Sequence, residues 1–258
     1  MFRSLHDLCG FAVQAVDGDI GRADDFIFDD EKWVVCYLVV RLGAWIFRHN
    51  VLLSITSVSP PGATFIPANL TKKQIEQSPD INSENTVSRR DEIDLHDYYG
   101  LPYYWNYPPF STPSIPPSDV FSESQRFTEP GYSDDDEDEE ELDDLNAHLR
   151  SCKDVRGYRV QAINGQIGHV SDFIVDDQDW TIRYLVIDTS NWVHGKEVLI
   201  APSWISDISW GESKVFVGVT VEKVRKSPPF DPSAPVNRDY ENRIYDYYGR
   251  PKYWDKKE

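Results

Sequence analysis

The side chains that could do chemistry in this chain are chiefly acids, and they come in two matching sets. Asp29-Asp30-Glu31 and Asp176-Asp177-Gln178-Asp179 are short acidic runs that could offer carboxylate oxygens to Ca²⁺ or Mg²⁺. Neither shows the Asp-x-Asp-x-Asp-Gly alternation that wraps a loop around one ion. Adjacent acids point apart, so both runs read as turns, with divalent-ion binding as the alternative. Asp25 and Asp172 fall within strands and are expected to bond backbone groups where a sheet bends, not to act as acid or base. The six histidines, at positions 6, 49, 96, 148, 169 and 194, form no His-x-x-x-His spacing and no His/Cys group. Gly18-x-x-Gly21 lies in a hairpin and not ahead of a helix. No nucleophile elbow, P-loop or dinucleotide fingerprint occurs. No catalytic, cofactor-binding or metal-ligating residue is assigned, and the chain is expected not to be an enzyme; weak metal- or ligand-dependent catalysis is the last alternative.

A second kind of functional residue is aromatic. Asp97-Tyr98-Tyr99-Gly100-Leu101-Pro102-Tyr103-Tyr104-Trp105 recurs as Asp246-Tyr247-Tyr248-Gly249-Arg250-Pro251-Lys252-Tyr253-Trp254, with seven of nine positions identical. Tyrosine and tryptophan join large apolar area to a polar tip, which suits them to anchor interfaces. Tyr98, Tyr99, Tyr104, Trp105, Tyr247, Tyr248, Tyr253 and Trp254 are therefore candidate partner-binding residues. The first reading is that they pack back on a barrel to close its open end or lie across the two barrels, with partner docking as the alternative; exposure distinguishes the two readings.

The elements that must carry these residues are duplicated as well. Gly10 to Arg41 matches Gly157 to Asp188 at a constant offset of 147, with 16 of 32 positions identical, and Arg3-Ser4 and Asp7 recur as Arg150-Ser151 and Asp154. In each copy a strand (Phe11 to Ala15) ends at Asp17-Gly18 or Asn164-Gly165, dipeptides suited to a type I′ hairpin. A second strand, Ile20 to Phe28, carries Gly21 or Gly168 at a bulge or sharp bend. Trp33 to Arg41 is the strongest strand, and a shorter one follows near Val51 to Leu53 or Val198 to Ala201. The second copy then shows Ile205 to Trp210 and Lys214 to Val219 as a closing pair around a Gly211-Glu212-Ser213 turn; the first copy is two residues shorter there and puts Pro60-Pro61-Gly62 in the turn. A short helix starts at Thr71 or Thr220, with capping-box spacing from Thr71 to Gln74, and stops before Pro79 or Pro228. A polar connector then leads to the aromatic motif.

The 258 residues thus divide into units over 3–105 and 150–254, each large enough to bury a core, joined by a Pro/Ser-rich and acidic linker over 106–149 that is expected to be disordered. Ten of the eleven residues from Asp134 to Asp144 are acidic. The net charge of −18 opposes phosphate attraction and argues against nucleic acid or anionic lipid as a ligand. Cys9, Cys36 and Cys152 show no CxxC spacing and are expected to be free thiols. The longest apolar run, Trp33 to Val40, is far shorter than the ~20 residues a spanning helix needs, so membrane insertion is not expected and the cytoplasm is the expected location.

The signature G-x-x-V, G-x-I-G, D-F-I, D-D, W, Y-L-V, present in both copies, resembles the PRC-barrel family. That small β-barrel is shared by the cytoplasmic domain of the photosynthetic reaction-centre H subunit and the C-terminal domain of the ribosome maturation factor RimM. The resemblance covers Gly10 to about Pro79 and Gly157 to about Pro228, and is closer to stand-alone tandem proteins of bacteria. It implies an all-β fold with short helices: two small antiparallel barrels in tandem, expected to pack as a pseudo-twofold pair. It also implies a non-catalytic binding or assembly module, without cofactor, that docks another protein or itself through its barrel faces. A role like that of the H subunit, in peripheral association with a membrane complex, is the alternative.

Overall fold

The computed structural model of the chain describes residues 1–43, 49–79, 87–101, 148–189 and 195–255. Most of the expected linker, together with Tyr104 and Trp105, lies outside the described residues.

In the first half the elements are β1 (Phe2–Ser4), α1 (Leu5–Leu8), β2 (Ala12–Ala15), β3 (Gly18–Asp29), β4 (Val34–Leu42), β5 (His49–Ser54), β6 (Phe65–Pro67), α2 (Lys72–Glu76) and α3 (Arg89–Tyr99). The second half has β7 (Leu149–Ser151), α4 (Cys152–Val155), β8 (Arg159–Ala162), β9 (Gly165–Asp176), β10 (Ile182–Asp188), β11 (Glu197–Ile200), β12 (Ile205–Ser209), β13 (Lys214–Val217), α5 (Val221–Arg225) and α6 (Arg238–Tyr248). The fold is mostly β, with two sheets and short helices. One sheet runs β5-β4-β3-β2-β6 and the other β11-β10-β9-β8-β13-β12. Tyr37-Leu38-Val39-Val40 and Tyr184-Leu185-Val186-Ile187 lie on inner strands and are buried on both faces, which is why these stretches read as continuous apolar runs.

Four expectations need correction. The sheets are not purely antiparallel, because β2 pairs with β6, and β8 with β13, in parallel. Among the described residues, no ring of paired strands closes on itself. The hairpin tips are not type I′ turns on Asp17-Gly18 and Asn164-Gly165. Ala15 pairs with Gly18 and Ala162 with Gly165, so the loop residues are Val16-Asp17 and Ile163-Asn164, none of which takes a positive φ. Gly18 alone of its turn takes φ +126, a conformation glycine adopts without steric cost. Finally, the polar connectors form helices: α3 starts at a Ser88/Asp91 capping box and α6 at Asn237, and both end on a left-handed glycine, Gly100 or Gly249.

Other expectations hold. The ladder shifts register opposite Gly21 and Gly168, where a Cβ would stand 2.5 Å from the Arg41 carbonyl and 1.9 Å from that of Asp188. Thr71 and Gln74 form the capping box of α2. Among the described residues β12 has no counterpart strand in the first half, so the closing pair expected around Pro60-Pro61-Gly62 does not form there. Pro60 and Pro61 have no N–H to give a ladder, and a single Val58↔Ala68 bridge stands there instead.

The two halves exchange their first segments. β1 pairs with β9 of the second half, and β7 pairs with β3 of the first. Aspartates fix both exchanges. The Asp25 carboxylate accepts from the Ser151 hydroxyl at 2.5 Å, the Lys153 N–H at 3.1 Å and the Phe26 N–H at 2.7 Å. Its counterpart Asp172 accepts from the Ser4 hydroxyl, from the His6 N–H at 3.0 Å and from the Phe173 N–H at 2.7 Å. Ser4 and Ser151 in turn cap α1 and α4. The seam between the halves continues at the turns: Val35 N–H donates to the Trp180 carbonyl at 3.0 Å, and Ile182 N–H to the Trp33 carbonyl at 2.7 Å. Trp33 and Trp180 hold φ of +57 and +56 to aim those carbonyls across. Phe26 stacks on Trp180 and Phe28 on Trp33, and Phe28 meets Phe173 at a tilt, so one buried cluster runs through both halves.

Candidate functional site

Beside each hairpin tip lies a strip of surface built by three elements. Val16 is 67% exposed and Ile163 is 72% exposed, and the two are counterparts, 147 positions apart. Their backbones are fixed, since Val16 N–H donates to the Leu70 carbonyl at 2.9 Å and Ile163 N–H to that of Val219 at 3.0 Å. The next residue caps the neighbouring short helix: Asp17 accepts from Lys72 N–H at 2.8 Å, and Asn164 from Val221 N–H at 2.9 Å. At the far side of that helix a tyrosine holds a carbonyl, Tyr98 donating to Gln74 at 2.8 Å and Tyr247 to Lys223 at 2.7 Å. Each strip therefore runs from an apolar tip, along α2 or α5, to a tyrosine. Exposed charges of both signs, Lys73 and Glu76 or Glu222, Lys223, Arg225 and Lys226, line the helix between them.

The tyrosines owe their positions to a buried polar staple. Glu92 and Glu241, on α3 and α6, are 0% exposed. Glu92 accepts from the Tyr37 hydroxyl at 2.7 Å and pairs with Arg89 at 2.7 Å. The Tyr37 hydroxyl also lies 2.9 Å from His96 Nε2. Glu241 accepts from Tyr184 at 2.6 Å and Tyr253 at 2.9 Å, with Arg238 Nη1 3.0 Å from its other oxygen. Burial, and then the bond to Glu241, push the Tyr184 phenol far up, so it stays a proton donor. Each staple locks a C-terminal helix on a central strand, β4 or β10, and brings Tyr98 or Tyr247 to the end of its strip.

The aromatic residues expected to bind a partner divide by environment. Tyr98 is exposed and Tyr247 half-buried. Tyr99 packs edge-on to Tyr98, and burial pushes its phenol up to about 12. Tyr248 is buried against Trp204, with ring centroids 4.8 Å apart. Tyr253 and Trp254 are half-buried; Arg183 lies over Tyr253 at 4.8 Å and Arg238 over Trp254 at 4.1 Å. Tyr104 and Trp105 fall outside the described residues. Val16 and Ile163 escaped the sequence reading. Their signal was an apolar residue at the same turn position in both copies, where polar residues are the rule.

The acidic runs are engaged within the protein. Asp29 accepts from the N–H groups of Glu31 and Lys32, while Asp30 accepts from Arg150 Nε at 2.8 Å and Asp177 from Arg3 Nε at 3.3 Å, both across the seam. Asp25 and Asp172 bond backbone groups as expected, but those of the opposite half as well as their own. Burial outweighs these bonds and raises both carboxyls above their ordinary value. Among the described residues no three His, Cys, Asp or Glu side chains form a metal-binding group. The three cysteines are free; burial, and then the Asp25 charge, push the Cys9 thiol up to about 11, and Cys152 rises for the same reasons, which leaves both poor nucleophiles. No described helix is long and apolar enough to cross a membrane.

Residues 148–223 match the family model of the PRC-barrel domain. The matched segment runs from just before β7 into α5 and holds the whole strand set of the second sheet except the exchanged β1. No curated protein matches the chain.

Proposed function

We propose that the chain is a non-catalytic docking module made of two barrel-type units, in tandem as a pseudo-twofold pair, whose ligand is another protein. The domain match in the second half supports a binding or assembly role. The signature shared with the first half, and bonds across the seam that recur 147 positions on, favour two units of one design. Val34 bridges to Thr181, its own counterpart in the other copy, as positions astride a twofold axis must.

The observation that carries the docking role is the paired exposure of Val16 and Ile163. Both are large apolar groups at turn tips, held rigidly, and neither helps to fill a core. Tyr98 and Tyr247 extend the same surface, whereas Tyr248, Tyr253 and Trp254 contribute by holding α6 and the segment after it in place. A strip presented twice suits a partner with two equivalent faces, so the second contact becomes intramolecular and strengthens binding without new chemistry. The free thiols fit a reducing compartment.

The test is affinity capture with the full chain against Val16→Asp/Ile163→Asp. Both positions are exposed, so the double variant should melt as the parent does while losing the proteins that the parent recovers. Recovery of the same proteins in the same amounts by the variant would overturn the assignment of these strips.

A further inference from the structure

A cleft of about 530 Å³ opens in the first half beside the Gly21 bulge. Arg22 on β3 and Arg41 on β4 line it and stand directly opposite each other in the antiparallel register. Side chains so placed project from the same face, and like charges there repel. The equivalent row in the second half shows how the fold treats this position when it is self-contained. There His169 faces Asp188, 3.9 Å apart, with Glu197 beyond Asp188 and Arg159 before His169. In the first half Asp188 is replaced by Arg41, Glu197 by Asn50 and Arg159 by Ala12. Both acids of the row are gone, and the arginine at its end is replaced by the methyl group of Ala12.

The arginines are held but not used up. Arg22 Nη1 donates to the Gly10 carbonyl at 2.8 Å, and Arg41 Nη1 to Asp24 at 2.8 Å. Each guanidinium has five N–H donors in a planar fork. Asp24 is also bound by Lys153, so its charge is shared. Among the described residues the lining carries two arginines against Asp19, and with Asp24 divided between Arg41 and Lys153 the group keeps one positive charge in excess. Ala12 and Ile20 supply an apolar wall.

We propose that this cleft binds a small organic phosphate, with Arg22 and Arg41 clasping the oxyanion and the Ala12/Ile20 wall taking its apolar part. Two opposed forks suit the several oxygens and double charge of a phosphate monoester, and the bound anion removes the repulsion in the register. The cleft volume is in the range of small-molecule sites.

Calorimetric titration of the full chain with inorganic phosphate and with phenyl phosphate, at matched ionic strength, tests this. One-to-one saturable binding is expected for both, tighter for phenyl phosphate, with a loss of at least ~10-fold in Arg22→Gln and in Arg41→Gln and no change in Arg159→Gln. Ala12→Leu keeps both arginines but fills the cleft, and should weaken phenyl phosphate more than phosphate. Absence of saturable binding for either probe up to about 10 mM, or parent-like titration of the two arginine variants, would overturn the site. Equal affinity for the two probes would overturn the organic part of the ligand.

Discussion

Asp25→Ala tests the idea that exchanged segments hold the halves together. Asp25 is 7% exposed and accepts from Ser151 Oγ, Lys153 N and Phe26 N. Truncation orphans three donors, two of them belonging to the other half. An unsatisfied buried donor costs about 1–3 kcal/mol, and partial exposure at Ser151 and Lys153 puts those two at the low end. Relief of the buried charge returns some of this, as the raised carboxyl shows. A net loss of about 3 kcal/mol is expected; with a slope of about 2 kcal/mol/M the urea midpoint falls by about 1.5 M. Asp25→Asn keeps one acceptor oxygen and should lose roughly a third as much. Solution pH gives an independent check. Burial raises the folded-state carboxyl above its ordinary 3.8, so the associated stability is full below that value and is lost as pH rises through the folded value. The deficit of Asp25→Asn relative to the parent should therefore shrink from pH ~4 toward neutrality. A loss for Asp25→Ala within the ~0.5 kcal/mol typical of surface changes, or a deficit for Asp25→Asn that grows with pH, would refute the reasoning.

Two further outcomes follow from close contacts. Gly168→Ala would put a Cβ 1.9 Å from the Asp188 carbonyl, whereas Gly157→Ala, at φ +93, meets open space; thermal melts should show the first costing several-fold more than the ~1–2 kcal/mol of the second, and equal costs would contradict the close strand approach. Tyr184→Phe removes the 2.6 Å bond to the buried Glu241 and should cost about 1–3 kcal/mol in denaturant unfolding; a neutral result would mean the staple does not hold α6.

How much of this was legible follows residue by residue. The central strands β2 to β4 and β8 to β10 were, because β-branched and aromatic runs such as Tyr37-Leu38-Val39-Val40 leave little choice at short range, and Gly21 and Gly168 marked the bends; the three-residue strands β1, β6 and β7 were not, being too short to show a pattern. Helices α3 and α6 were missed although Ser88-x-x-Asp91 and Gly100 framed one of them, because a helix of low overall hydrophobicity buries only a narrow face. That Glu92 and Glu241 would sit at 0% exposure was not readable, since a glutamate is buried only when tyrosines and an arginine from elsewhere complete its bonds. Nor was the Arg22/Arg41 confrontation, which depends on register across two strands.

The sequence by itself determined that a strand-rich stretch occurs twice, that a hairpin turn falls near Asp17 and Asn164, and that acids repeat at Asp25 and Asp172. Only the tertiary structure decided which half each opening segment serves. The two copies offer the same strand edge and the same aspartate, so local preference for pairing β1 with β3 or with β9 is nearly equal. The choice is made by what chain closure and the shared aromatic core allow at once, and that balance is a property of the whole assembly, not of any stretch of residues.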